Sequence, residues 1–225
     1  MSEHLVKKAN ELINARYILP VAAQKLICYC ASKIDDSETD FNEIEITAKE
    51  LQLLTKVQNP YEELLYIADS IFEAEIHTNF HDLEFRERKR WVTKIKYFDG
   101  EGRVVFKFHE DIKPWLLQLK EKYTSYSLNV IENLFNKYSL RIYELIINNK
   151  VLVDDTYEAE FDLEYLKLIL ILDDKYSQFH DFKRYVLEPV IDELNKTNLR
   201  NVRLKTVKKG RSVIGVKFLF EIKEG

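Results

Sequence analysis

Apolar side chains recur along this chain with two periods, and the switches between them divide it into elements. From Val21 to Ile34 the run is apolar on nearly every side. Pro20 stands just before it, where a missing N–H costs a helix nothing. Glu43-Ile44-Glu45-Ile46 alternates with period two, as a half-buried strand does. Thr47 follows with Glu50 three residues on, a capping box in front of Leu51, Leu53 and Leu54. After the break at Asn59-Pro60, Tyr61, Leu64, Leu65, Ala68, Ile71 and Phe72 take the three- and four-residue steps of one helical face. Glu62, Glu63, Tyr66, Asp69, Ser70 and Glu73 fall on the other face. Arg90 to Tyr97 and Arg103 to Phe108 then alternate on either side of Asp99-Gly100-Glu101-Gly102, a hairpin signal. Pro114-Trp115-Leu116-Leu117 opens a short closing helix, and Lys120 to Ser125 reads as a domain junction.

Beyond that junction the order recurs. Glu158 to Leu166 matches Glu43 to Leu51 at an offset of 115, cap for cap, and at the same offset Tyr176 falls on Tyr61 and Phe179 on Leu64. Phe179, Phe182, Val186, Leu187, Val190, Ile191 and Leu194 line one face of a helix, with Pro189 inside it as a kink. Val202 to Val207 and Val213 to Phe220 alternate and are joined through Lys208-Lys209-Gly210-Arg211-Ser212. Strand, capped helix, break, longer helix and glycine-containing hairpin thus occur twice. The reading is an α+β chain of two tandem winged-helix domains, residues 1–122 and 123–225.

Charge separates the two halves. The net charge is −4 overall, but it is −4 over residues 1–120, −6 over 121–174 and +6 over 175–225. The positive charge gathers where the last helix and hairpin lie, as an electrostatic footprint for nucleic acid requires. A helix fits the major groove, and a basic hairpin tip beside it can hold a phosphate strand. On the helix, Ser177, Arg184 and Asn195 face outward, a face that Asp181, Glu188 and Asp192 share, while His180 and Lys183 stand near its border and Lys183 must snorkel to reach solvent. Arg184, with Lys183 less well aimed, suits a bidentate contact to guanine. Lys208, Lys209 and Arg211 at the tip, with Arg203 and Lys205 on the first strand, are placed to neutralise phosphates. Ser139 and Arg141 lie near a helix start, which suits a phosphate, although Arg141 equally suits an ion pair with Glu144. The cluster Arg86-Glu87-Arg88-Lys89-Arg90 reads either as a DNA contact or as a solvated strand face.

Other chemistries lack their residues. Five glycines, at 100, 102, 210, 215 and 225, cannot form a phosphate-cradling Gly-x-x-x-x-Gly-Lys loop. His77-Thr78-Asn79-Phe80-His81 has the wrong spacing for a His-apolar-His metal pair, and no triad or cysteine-histidine cluster stands out. No enzyme, cofactor or metal is expected. Cys28 and Cys30 sit within an apolar run and read as small buried hydrophobes. With no apolar run of about 18 residues, the expectation is a cytoplasmic protein without a membrane partner.

Three stretches stand out in order and spacing: Leu5-Val6-Lys7-Lys8-Ala9-Asn10-Glu11-Leu12-Ile13, Tyr138-Ser139-Leu140-Arg141-Ile142-Tyr143-Glu144-Leu145, and Phe182-Lys183-Arg184-Tyr185-Val186-Leu187-Glu188-Pro189 with Lys209-Gly210-Arg211. In these the chain resembles the initiator replication proteins of iteron-containing plasmids. The resemblance implies binding to repeated double-stranded sites in an origin, opening of the duplex nearby, and recruitment of the host initiator and replicative helicase. It also implies a homodimer, formed through the first domain, that represses its own gene, and a monomer that starts replication. Two other readings of the residues stay open: a dimeric winged-helix transcriptional repressor without a replication role, and a protein-assembly module.

Overall fold

Thr47 and Asp162 do the same work in the two halves of the chain. Each ends a strand and caps the helix behind it, Thr47 accepting from the Glu50 amide and Asp162 from the Tyr165 amide. The structure, a computed structural model, describes residues 4–79, 86–98 and 100–223, so Asp99 of the hairpin turn and Phe80 and His81 of the histidine pair lie outside the described residues. It divides into two compact units between Glu132 and Asn133.

In the first unit the elements run β1 (Leu5–Ala9), α1 (Asn10–Asn14), α2 (Val21–Ser32), β2 (Ile44–Thr47), α3 (Ala48–Thr55) and α4 (Pro60–Glu73). Then come β3 (Glu75–Thr78), β4 (Glu87–Arg90), β5 (Val92–Phe98), β6 (Arg103–Phe108), α5 (Lys113–Leu116) and β7 (Tyr123–Ser127). The sheet order β2-β6-β5, with α2, α3 and α4, is a winged helix. Its core includes Leu26, Ile46, Leu51, Leu64, Ile67, Ile71, Phe106 and Phe108. The strand β1 pairs antiparallel with β7 from Leu5↔Ser127 to Ala9↔Tyr123. That ladder carries the first unit through the segment the sequence pattern marks as a junction, and so the division falls at 132 rather than at 122. Cys28 and Cys30 are free and buried, and Cys28 Sγ lies 3.3 Å from both Lys8 Nζ and the Tyr126 hydroxyl.

Three apolar residues of α4 are not where their period puts them. Leu64, Ala68 and Ile71 are buried, but Tyr61, Leu65 and Phe72 are 64%, 44% and 45% exposed. A helix packed on one side buries a stripe, and the rim of a broad apolar stripe stays in solvent.

The second unit runs α6 (Ser139–Asn148), β8 (Val151–Val153), β9 (Thr156–Asp162), α7 (Leu163–Ile169), then a long helix over 179–194, then β10 (Leu199–Lys209) and β11 (Ser212–Ile222). The long helix is α8 (Phe179–Phe182), a π segment (Lys183–Leu187) and α9 (Glu188–Leu194). It starts at Phe179, behind Gln178, whose extended backbone (φ −92°, ψ 131°) stands outside the helix. Pro189 explains the π segment: it has no N–H to give the Tyr185 carbonyl, and the Glu188 amide reaches instead to the Lys183 carbonyl, five residues back. The sheet order is β10-β11-β9-β8, and its first three strands stand as β5, β6 and β2 do in the first unit. Gly215 is required where β11 crosses β9, since a Cβ there would lie 2.7 Å from the Phe161 carbonyl oxygen.

Candidate nucleic-acid interface

The second unit is built so that the long helix is held on one side only. Phe182, Val186, Leu187, Val190 and Leu194 are fully buried. At about 2 kcal/mol for each buried side chain of this size, that face anchors the helix. Its C-terminal end is tied down further: Glu193 accepts from the Phe135 and Asn136 amides at 2.9 and 3.0 Å, and Asn195 Oδ1 accepts from the Val202 amide at 2.9 Å.

The other side stays in solvent. Ser177, His180, Arg184 and Tyr185 are exposed, and Lys183 is half exposed. Arg184 lies over the Tyr185 ring at 5.5 Å, and Tyr185 stacks in turn on Tyr176 at 6.3 Å. Lys167 of α7 donates to the Tyr176 carbonyl at 2.6 Å, so the turn before the helix is pinned. Lys183 pairs with Glu188 at 3.5 Å, and His180 sits 3.4 Å from Asp181. Of the helix cations, Arg184 is therefore the one without a carboxylate partner among the described residues. Tyr185, 55% exposed beside it, escapes a reading by period because apolar residues are there assigned to the core.

The hairpin β10–β11 carries the rest of the charge. Lys208, Lys209 and Arg211 are all exposed at its tip. Lys209 pairs with Ser212 around a two-residue turn, and Gly210 takes the φ of 62° that such a turn asks of its first position. Between Val207 and Lys208 the register shifts, leaving Ile214 as the extra residue on β11.

Arg203 and Lys205 lie elsewhere. They stand opposite Leu219 and Lys217, and residues directly opposite in a ladder share a face. The core face is the other one, with Ala159, Phe161, Val216 and Phe218. Arg203 and Lys205 thus belong to the outer face of the sheet, which the strands separate from the long helix. On that outer face Lys217 binds Glu158 at 2.7 Å and Glu160 at 3.3 Å, and these carboxylates hold its ammonium pKa above the ordinary lysine value.

Ser139 and Arg141 are corrected by the structure. Ser139 is fully buried and Arg141 is 3% exposed, with its guanidinium 3.5 Å from Glu144 Oε2, itself fully buried. Every residue of α6 from Ser139 to Ile147 is buried, so this helix is covered on all sides and its first turn presents nothing to a phosphate. Of the two roles open to Arg141, the ion pair is the one realised.

The first unit has the same scaffold with opposite charge. Its α4 holds Glu62, Glu63, Asp69 and Glu73 and no lysine or arginine. The cations of β4 each have partners within the unit. Arg88 pairs with Glu75 at 3.2 Å, Lys89 with Glu87 at 3.1 Å and over the Trp115 ring, and Arg90 donates to the Phe72 and Glu73 carbonyls at the end of α4.

Comparison with known proteins adds to this geometry. Residues 5–147 match the family described as Initiator Replication protein, WH1, and residues 162–220 match the one described as Initiator Rep protein, WH2. The chain belongs to the initiator replication protein family. A replication initiation protein of Escherichia coli is 29% identical over 236 residues, spanning 99% of this chain and 71% of that relative. Among solved structures, the Pi initiator protein in complex with iteron DNA superposes with a TM-score of 0.82 at 24% identity over the whole of both chains. Domains 2 and 3 of RctB superpose with a TM-score of 0.55 at 9% identity, covering all of this chain and 93% of that one. At these identities the two structures share the fold. No helix among the described residues is long and apolar enough to cross a membrane.

Proposed function

We propose that this initiator binds repeated double-stranded sites at a plasmid origin through its second unit, with the long helix in the major groove and the β10–β11 tip on the phosphate backbone. The observation that carries this is the exposure together of Arg184 and of Lys208, Lys209 and Arg211, in a unit whose first-unit counterpart is acidic. Arg184 supplies base choice, worth about 1–3 kcal/mol for a bidentate contact to guanine, and the tip supplies affinity. The Pi initiator was crystallised on iteron DNA, which supports the choice of repeated sites as ligand.

Origin opening then needs no catalysis by this chain. Bending a site costs roughly 1–6 kcal/mol, and several copies on neighbouring repeats can divert binding energy into destabilising the adjacent duplex. The first unit, unsuited to phosphate, serves self-association and contact with the host initiator and helicase. A dimer held through it would repress the chain's own gene.

The test is fluorescence anisotropy of the full chain on a duplex bearing the direct repeats that flank its gene, titrated at several salt concentrations. The reading expects affinity to fall steeply with salt and to exceed that for a scrambled duplex by roughly a thousandfold or more. Equal affinity for both duplexes overturns repeat recognition. Specific binding to one inverted repeat at the promoter alone, with none to direct repeats, identifies a repressor instead.

A further inference from the structure

Two surfaces of this chain carry strong charge of opposite sign that nothing within the described residues balances. On α4, Glu62, Tyr66, Asp69 and Glu73 follow one another at steps of three and four residues and so form a single stripe. Tyr61, Leu65 and Phe72 flank it, and these three and Tyr66 are all exposed. Glu62, Glu63 and Glu73 form no ion pair among the described residues, and Asp69 accepts from the Tyr97 hydroxyl. The cation beside the end of the helix, Arg90, is held by the Phe72 and Glu73 carbonyls and by Glu75. On the wing, residues 203–211 hold five cations and no carboxylate, and Ile214 stands 42% exposed at the bulge behind the tip.

We propose that the α4 face of one copy receives the β10–β11 wing of a second copy. Charge and shape both fit: a narrow two-residue turn with Lys208, Lys209 and Arg211 meets a stripe of carboxylates, and Ile214 meets the exposed apolar flank. A solvent-exposed patch of large apolar side chains is an uncommon expense on a lone molecule, and here it lies alongside the acids. Single exposed ion pairs contribute little, so the contact depends on several acting together and weakens with salt. The two surfaces differ, which makes the contact heterologous and able to link copies head to tail. It deepens the proposed function in one respect: a wing seated on α4 is withheld from a duplex, the acidic stripe standing where phosphates would.

Sedimentation velocity of the full chain tests it, with circular dichroism to verify that each variant is folded. At about 50 mM salt the chain should self-associate, and the association should weaken at about 300 mM, where screening is stronger. Glu62→Lys with Glu73→Lys, and separately Lys208→Glu with Arg211→Glu, should each weaken self-association by roughly tenfold or more. Mixed together, the two variants should associate again, because the unaltered wing of the first meets the unaltered α4 of the second. Self-association unchanged by either reversal, or a mixture no more associated than its components, overturns the proposal. Adding repeat-bearing duplex should dissociate the wild-type complex. If the chain binds no duplex, the DNA reading falls, while the charge-reversal arms still decide this contact.

Discussion

The helices over 60–73 and 179–194 occupy one position in two copies of a fold, and their solvent faces differ: α4 carries acids alone, whereas the second helix sets Lys183 and Arg184 among Asp181, Glu188 and Asp192. At an offset of 115, buried Ile67 and Ile71 correspond to buried Phe182 and Val186, so the inner faces agree. On the outside Arg184 stands where α4 has Asp69, and Tyr185 where α4 has Ser70. Packing constrains the inner face to large apolar residues, whereas the outer face is free to change sign without disturbing the core. The duplicated scaffold therefore says nothing about what either copy binds. The decision lies in a few exposed side chains.

The comparison breaks most visibly if the cores are not equivalent. Leu51 and Leu166 share the offset and are both fully buried. Leu51→Ala and Leu166→Ala should each cost about 2–5 kcal/mol, with hydrogen-exchange protection lost in the altered unit first. Next, Arg184→Ala should weaken binding to repeat-bearing duplex by about 1–3 kcal/mol and relax base preference, read by anisotropy on substituted sites. Its counterpart change, Asp69→Ala, should leave base preference as it was.

A smaller effect tests the caps. Thr47→Ala and Asp162→Ala should each lose about 1 kcal/mol in chemical denaturation. Thr47 belongs to a reciprocal box, since Glu50 also accepts from the Thr47 amide at 2.9 Å. Burial raises the Glu50 pKa, but the Thr47 amide, the Tyr29 and Thr47 hydroxyls and Lys33 together outweigh it and bring it from 4.5 down to about 2. A depressed carboxyl pKa contributes stability that is complete above pH 4.5 and lost as pH falls through 2. First-unit stability should show that loss in acid denaturation, and Glu50→Gln should diminish it. The least effect belongs to the outer sheet face: Arg203→Ala and Lys205→Ala should each change duplex affinity by about twofold or less at 0.15 M salt, where screening limits a distant charge.

Local patterns carried much of this molecule in plain view. The capping box at Thr47, the second cap at Asp162, the alternating strands and the helical stripes all follow from the nearest few residues, and hence from the sequence. So does the excess of cations after residue 175, and with it the candidate tip at Lys208, Lys209 and Arg211, all of which the fold leaves exposed. What neighbours in space cover is a different matter. Ser139 and Arg141 look like the start of a surface helix until other elements close over every side of α6. Arg203 and Lys205, on the first strand of the hairpin, look placed to neutralise phosphates along with the tip until strand register assigns them to the outer face of the sheet.

Long-range pairing decided two further features. The first unit extends through Tyr123–Ser127 because that strand finds Leu5–Ala9, over a hundred residues away in the chain. Tyr61, Leu65 and Phe72 keep the period of a buried face yet remain largely in solvent, because no element among the described residues packs over them fully. Period and capping are properties of a turn or two of chain, and a sequence states them directly. Burial is a sum over the whole fold, and only the folded chain computes it.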